Sequence, residues 1–115
     1  MDIEPMTMPE LEAAITVANS AGWGDQRQTL LFYAHHPACS CFLAKKEGAT
    51  VGLAVASQRG PVGWLGPIMV SPDYQRQGIG AALTRALIQH LEAQHCQTLL
   101  LIATEIGRAS CRERV

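Results

Sequence analysis

Charge of one sign is what this sequence lacks first. Nine Lys and Arg stand against ten Asp and Glu, for a net charge of −1. The cations are scattered, so no basic face of the kind that neutralises a phosphate backbone forms, and nucleic acid is not expected as a partner. Long apolar runs are missing too. Stretches such as Thr98 to Ala103 fall far short of the roughly 20 residues that cross a bilayer, and no basic, apolar, small-residue leader opens the chain. The expectation is a cytoplasmic protein with no membrane attachment. The four cysteines, Cys39, Cys41, Cys96 and Cys111, have no CxxC spacing. In a reducing compartment they read as small buried hydrophobes rather than as a disulfide framework.

What is present is a chain of 115 residues, 48% hydrophobic and 17% charged, the make-up of one small globular domain. Ile3 to Pro5 reads as a short strand. Thr7 then opens a helix, with Glu10 three residues on completing a capping box. Leu11, Ala14, Ile15 and Ala18 recur at helical spacing, and Gly22 falls where a left-handed cap is usual. Asp25 can cap a second helix running to about His36, ended by Pro37. Two strand-like runs follow, Cys39 to Lys45 and Thr50 to Gln58, joined through Lys46-Glu47-Gly48 as an antiparallel hairpin. After the turn at Arg59-Gly60-Pro61, Val62 to Val70 returns as a third strand, broken at Gly66-Pro67, where a bulge or splay is predicted. A helix then carries Ile79, Leu83, Ala86, Leu87 and Leu91 on one stripe, with Arg85, Gln89 and Glu92 facing away, and fades near Gln94. A last strand spans Thr98 to Ile102.

Between the third strand and that helix lies Ser71 to Gly80. A helix start leaves backbone N–H groups unpaired and carries partial positive charge, so it attracts phosphate oxygens. Gly78 and Gly80 would let those oxygens come close, consecutive N–H groups form an anion nest, and Arg76 could add a charge at the rim. On spacing alone the same glycines could simply permit a tight turn and close helix packing. Other phosphate loops are excluded more firmly. A P-loop needs Gly-Lys-Ser/Thr, whereas Ala81-Ala82 follow Gly80; a dinucleotide fingerprint would want glycine or alanine where Leu83 stands.

The run Val70-Ser71-Pro72-Asp73-Tyr74-Gln75-Arg76-Gln77-Gly78-Ile79-Gly80-Ala81-Ala82-Leu83 resembles the acetyl-CoA signature of the GNAT superfamily of N-acetyltransferases. Its core, Q/R-x-x-G-x-G/A, is matched by Gln75, Gly78 and Gly80 without a gap. The order of elements over residues 1 to about 104 is also the family's. The resemblance implies an α/β (α+β) fold with a mixed, splayed sheet flanked by helices. It implies that backbone N–H groups of Gln75, Arg76, Gln77, Gly78, Ile79, Gly80 and Ala81 bind the CoA pyrophosphate. The pantetheine arm would pair with the open edge of the third antiparallel strand at Ile68, Met69 and Val70, like an added peptide strand. The implied reaction is acetyl transfer from the cosubstrate acetyl-CoA to a small-molecule or peptide amine by direct attack, with no metal. A sensor that binds acyl-CoA without turnover, or an inactive fragment, is the alternative.

No general base or acid can be named from the sequence. The third antiparallel strand carries no carboxylate, and the family's tyrosine usually lies on a helix beyond the last strand here. Tyr33 is read as helix packing and Tyr74 as a loop anchor. Trp23, Phe32 and Trp64 read as core or as the wall of an acceptor pocket, with Trp23 and Asp25 helping to choose substrates if their loop borders that pocket. His35, His36, Cys39 and Cys41 cluster in sequence, as do His90, His95 and Cys96, but neither set has a recognised ligand spacing, and no metal site is expected.

Residues 105–115 have no apolar period and no strand pattern. They read as the translation of a DNA sequencing adapter, and the expectation is a partial domain over 1–104 followed by a non-native tail. A domain cut there would leave the Leu99-Leu100-Leu101 edge unpaired, through which the chain could dimerise or aggregate.

Overall fold

A computed structural model of the protein describes residues 1–102 and 111–114. Strands β1 (Asp2–Pro5), β2 (Cys39–Lys46), β3 (Ala49–Arg59), β4 (Val62–Val70), β5 (Thr98–Ile102) and β6 (Cys111–Arg114) form one sheet in sequential order. All neighbours are antiparallel except β4 and β5, which run parallel. That single parallel pair requires a crossover, supplied by helix α3 (Ile79–Ala93). Helices α1 (Leu11–Ser20) and α2 (Arg27–His35) pack against one face of the sheet and α3 against the other, giving the mixed, helix-flanked α/β architecture anticipated from the order of elements.

Helices α3 and α1 are each held by the stripe their sequence displays. Ile79, Leu83, Leu87 and Leu91 are all buried against Ala44, Val51, Ala54, Ala56, Leu65 and Leu99. At roughly 1.5–3 kcal/mol per fully buried side chain, this row is the principal attachment of α3. On the opposite face Leu11, Ala14, Ile15, Val17 and Ala18 meet Leu30, Leu43, Leu53 and Met69. Two glycines let α3 lie close to the sheet. A methyl group at Gly52 would stand 2.9 Å from Leu83 Cδ1, and one at Gly63 would stand 2.9 Å from Leu91 Cδ1.

The capping box forms: Glu10 accepts hydrogen bonds from both the backbone N–H and the hydroxyl of Thr7, each at 2.9 Å. The first helix nevertheless opens as a short 3-10 turn over Met8–Glu10 before becoming α-helical at Leu11. Asp25 accepts from the Arg27 N–H at 3.0 Å, while Gln26 takes the cap position of α2. Of the aromatics expected in the core or a pocket wall, Phe32 is 58% exposed. It lies two residues past Leu30, the one fully buried residue of α2, and so on the opposite side of that helix. The three cysteines whose side chains are described, Cys39, Cys41 and Cys96, are half-buried rather than buried.

The β5 edge differs from expectation. Leu99 to Ile102 pair with Arg114 to Cys111 of β6, so the edge read as unpaired carries a strand, and four residues without a strand pattern adopt one. Backbone N–H and C=O groups on an edge template any chain that reaches them, whatever its side chains. The 104/105 boundary read from the sequence lies outside the described residues. Among the described residues no helix is long and apolar enough to cross a membrane.

Candidate active site

The sheet divides at Gly66-Pro67. Parallel pairing of β4 with β5 runs from Val62 opposite Thr98 to Leu65 opposite Leu101 and goes no further among the described residues. Pairing with β3 shifts register at the same point, between Ala54 and Ala56, and then resumes for Ile68, Met69 and Val70 opposite Ala54, Leu53 and Gly52. These three residues thus pair on one side only among the described residues. Ser71 N–H donates to Val51 O at 2.9 Å. Strand alternation therefore turns Met69 toward β3 and leaves the N–H and C=O groups of Ile68 and Val70 on the open side. The splay predicted from Gly-Pro is present, and it creates a strand edge inside the molecule.

The loop beyond β4 is braced from several directions. Pro72–Tyr74 form a 3-10 turn, and Tyr74 packs half-buried against the α3 core. The Gln75 N–H is engaged, donating to Pro72 O at 3.4 Å, and its side-chain amide donates to Val70 O at 3.2 Å, fastening loop to strand. Gln77 is held between the Asp73 carbonyl, 3.5 Å from its amide nitrogen, and the Lys46 ammonium, 2.7 Å from its amide oxygen. Arg76 and Gly78 both take left-handed backbone conformations, with φ of 64° and 84°. Alternation of such residues is how consecutive N–H groups come to line a concavity.

The N–H groups of residues 76–81 have no acceptor among the described residues; the first bond of α3 runs from Ala82 N–H to Gly78 O. The loop thus presents its free donors and the positive end of a 15-residue helix together. The two glycines part company here. Gly78 is required by its own φ. Gly80 is helical, and a methyl group there would meet only Val70 Cγ2 at 3.9 Å. Neither backbone nor packing demands glycine at 80, so the clearance it gives is available to something outside the chain. A diphosphate fits these donors, with Arg76 exposed nearby and Lys46 bound to the loop.

At the other end of the open edge is a cleft of about 200 Å³ lined by Trp23, Gln26, Thr29, Tyr33, Gly66, Pro67 and Met69. The α1–α2 connection and α2 supply one wall, the splayed part of β4 the other. Gln26 Nε2 donates to Trp23 O at 2.7 Å, which fixes the loop carrying the indole. Tyr33 packs on the core beside α2, as read from the sequence, and also borders this cleft. Burial, with the nearby Cys39 and Cys41 thiols, raises its pKa above the ordinary phenol value, so it stays protonated at neutral pH. Asp25 is exposed and outside the lining. Among the described residues no group of three or more His, Cys, Asp or Glu side chains could hold a metal ion.

Sequence reasoning missed Lys46 at the phosphate loop and Gln26, Thr29 and Tyr33 at the cleft. Lys46 is 31 residues from Gln77, and no local pattern links the two.

A sheet opened beside a loop of free N–H donors is the geometry on which the comparisons with known proteins bear. The model of the acetyltransferase (GNAT) family matches residues 8–112, and the chain belongs to that family. Its members are acyltransferases that use acetyl-CoA. Among solved structures, the ribosomal-protein alanine N-acetyltransferase of Escherichia coli is 27% identical, with a TM-score of 0.80 over 92% of this chain and 69% of that one. A GNAT acetyltransferase of Brucella melitensis in complex with acetyl-CoA is 17% identical, with a TM-score of 0.81 over 98% of this chain and 86% of that one. An aminoglycoside 6′-N-acetyltransferase of Acinetobacter haemolyticus is 20% identical, with a TM-score of 0.76 over 93% and 82%. No curated protein matches.

Proposed function

We propose that the protein moves the acetyl group of acetyl-CoA to an amine nitrogen by direct attack, and that residues 68–70 and 75–81 hold the cosubstrate. The observation that carries this reading is the continuous track from the free N–H groups of residues 76–81, along the open edge at Ile68 and Val70, to the cleft at Gly66-Pro67. Acetyl-CoA supplies the activated thioester. The N–H groups of Arg76, Gln77, Gly78, Ile79, Gly80 and Ala81 bind the diphosphate, and Gln75 holds the loop against the strand. Ile68 and the Val70 N–H pair with the amides of the arm, the Val70 carbonyl being held by Gln75, and Met69, pointing to the other face, borders the acceptor. An arm so laid down brings its sulfur end to the cleft.

There the neutral amine forms a bond to the thioester carbon, the C–S bond breaks, CoA leaves as thiolate and takes up a proton, and the amine nitrogen loses one. Among the described residues no carboxylate or histidine lines the cleft, and in this reading the amine's proton leaves through water. Protonated Tyr33 is the one ionisable group there among the described residues. The test is release of free CoA thiol from acetyl-CoA on addition of primary amines. Thiol release that depends on amine supports the reading; saturable acetyl-CoA binding with no release from any amine would make the protein an acyl-CoA sensor.

A further inference from the structure

Resting on the transferase reading, the chemistry of the cleft narrows the acceptor: we infer that it is a small primary monoamine bearing one apolar, ring-sized group. The walls are Trp23, Tyr33, Pro67 and Met69, with Gln26 and Thr29 as the only polar side chains besides the Tyr33 hydroxyl among the described residues. Indole, phenol and thioether surfaces together favour an aromatic or compact aliphatic body. At about 200 Å³ the cleft is smaller than the roughly 300–1,000 Å³ of sites for drug-sized ligands, and it suits one ring with a short arm. One end of the cleft is Gly66-Pro67, where the arm of the cosubstrate ends, so an amine on a short arm meets the thioester while the ring stays on Trp23.

The surrounding charges argue against a polycation. Every further ammonium group would need a carboxylate; among the described residues none lines the cleft, and Glu12, Glu10 and Glu4 are each held by a cation of their own chain. Glu12 accepts from Arg27, whose Nη2 lies 3.0 Å from its Oε1. Glu10 and Glu4 share the Lys45 ammonium. Asp25 accepts the Arg27 N–H and does not line the cleft. A polyamine or an aminoglycoside would thus place its extra charges against apolar walls or leave them in solvent.

The experiment compares initial rates of CoA release with 2-phenylethylamine, spermidine, kanamycin and a peptide with an N-terminal alanine, at saturating acetyl-CoA. It is paired with calorimetric titration of 2-phenylethylamine into the CoA-saturated protein. The expected result is a kcat/KM for 2-phenylethylamine at least tenfold above each of the others. In Trp23→Ala its KM should rise at least fivefold, with CoA affinity unchanged, and Trp23→Phe should restore most of the loss. A preference for spermidine, kanamycin or the peptide overturns the inference and leaves the transferase reading standing. Absence of release with every amine, despite acetyl-CoA binding, overturns the transferase reading itself. In that case, calorimetry showing no binding of 2-phenylethylamine overturns the inference as well, while binding that is lost in Trp23→Ala upholds the cleft's selectivity.

Discussion

Replacing Gly80 with alanine should make the protein more stable and a worse binder of CoA. The residue is in the first turn of α3, helical, and a methyl group there would touch only Val70 Cγ2 at 3.9 Å. Alanine exceeds glycine in a helix interior by about 0.8–1.0 kcal/mol, and in the first turn about 0.5 kcal/mol is a fair expectation. For a domain of this size that corresponds to a rise in Tm of roughly 2–4 °C. The same methyl would be added to a residue whose own N–H is one of the free donors from 76 to 81. Hydrogen bonds to a charged acceptor are worth about 1.5–3 kcal/mol each. Losing the equivalent of one weakens binding roughly 10- to 150-fold. Thermal unfolding followed by circular dichroism without ligand, and calorimetric titration with CoA, measure the two effects separately. A variant that melts higher and binds CoA as tightly as the parent would refute the assignment of the loop. One that melts lower would show that the glycine serves the fold after all.

Gly52→Ala should destabilise the protein by about 1–3 kcal/mol in urea titrations, because the new methyl would stand 2.9 Å from Leu83 Cδ1 and 3.2 Å from both Ala44 Cβ and Ile79 Cγ2. Glu10 has its pKa lowered from 4.5 to about 2, chiefly by the hydrogen bond from Lys45 and then by those from Thr7. A depressed carboxylate contributes stability that is complete above its unfolded pKa and is lost as pH falls toward the folded one. The urea midpoint should therefore drop between pH 4.5 and about 2, and Glu10→Gln should flatten that part of the profile. Cys41, its thiol pushed up to about 11 by burial first and by Cys39 second, should react with iodoacetamide at neutral pH far more slowly in the native than in the urea-unfolded protein. With no carboxylate or histidine at the cleft among the described residues, kcat/KM should rise with pH in step with the free-base fraction of whichever amine is used. A common inflection shared by amines of different pKa would instead reveal an enzymic base.

Patterns that are local in the chain were readable and proved right. The Thr7–Glu10 box, the row Ile79, Leu83, Leu87 and Leu91, and the break at Gly66-Pro67 each follow from spacing over a few residues. The candidate loop was legible for the same reason, although spacing alone left Gly78 and Gly80 undivided, and only the space around each separates a conformational glycine from one that gives clearance. What stayed hidden depends on residues brought together by the fold. Lys46 reaches Gln77 because the β2–β3 turn lies beside the loop. Tyr33 borders the cleft because α2 and the splayed part of β4 face each other across it, and Phe32 is exposed because α2 buries so narrow a face. The pairing of β6 with β5 was invisible because an edge recruits backbone, and backbone has no signature in side chains.

The two bare positions under α3 constrain chemistry neither of them touches. Gly52 and Gly63 sit beneath Leu83 and Leu91, separate rungs of one helix whose leading end carries the donors proposed for the diphosphate. Height at those rungs sets height at the tip, as two feet set the level of a table. A side chain gained at either seat would tilt the donors away from the strand edge that must work with them. Loss of cosubstrate affinity could then arise from a substitution with no ligand contact. Drift at 52 and 63 should accordingly be limited by alignment of the site as much as by stability of the core.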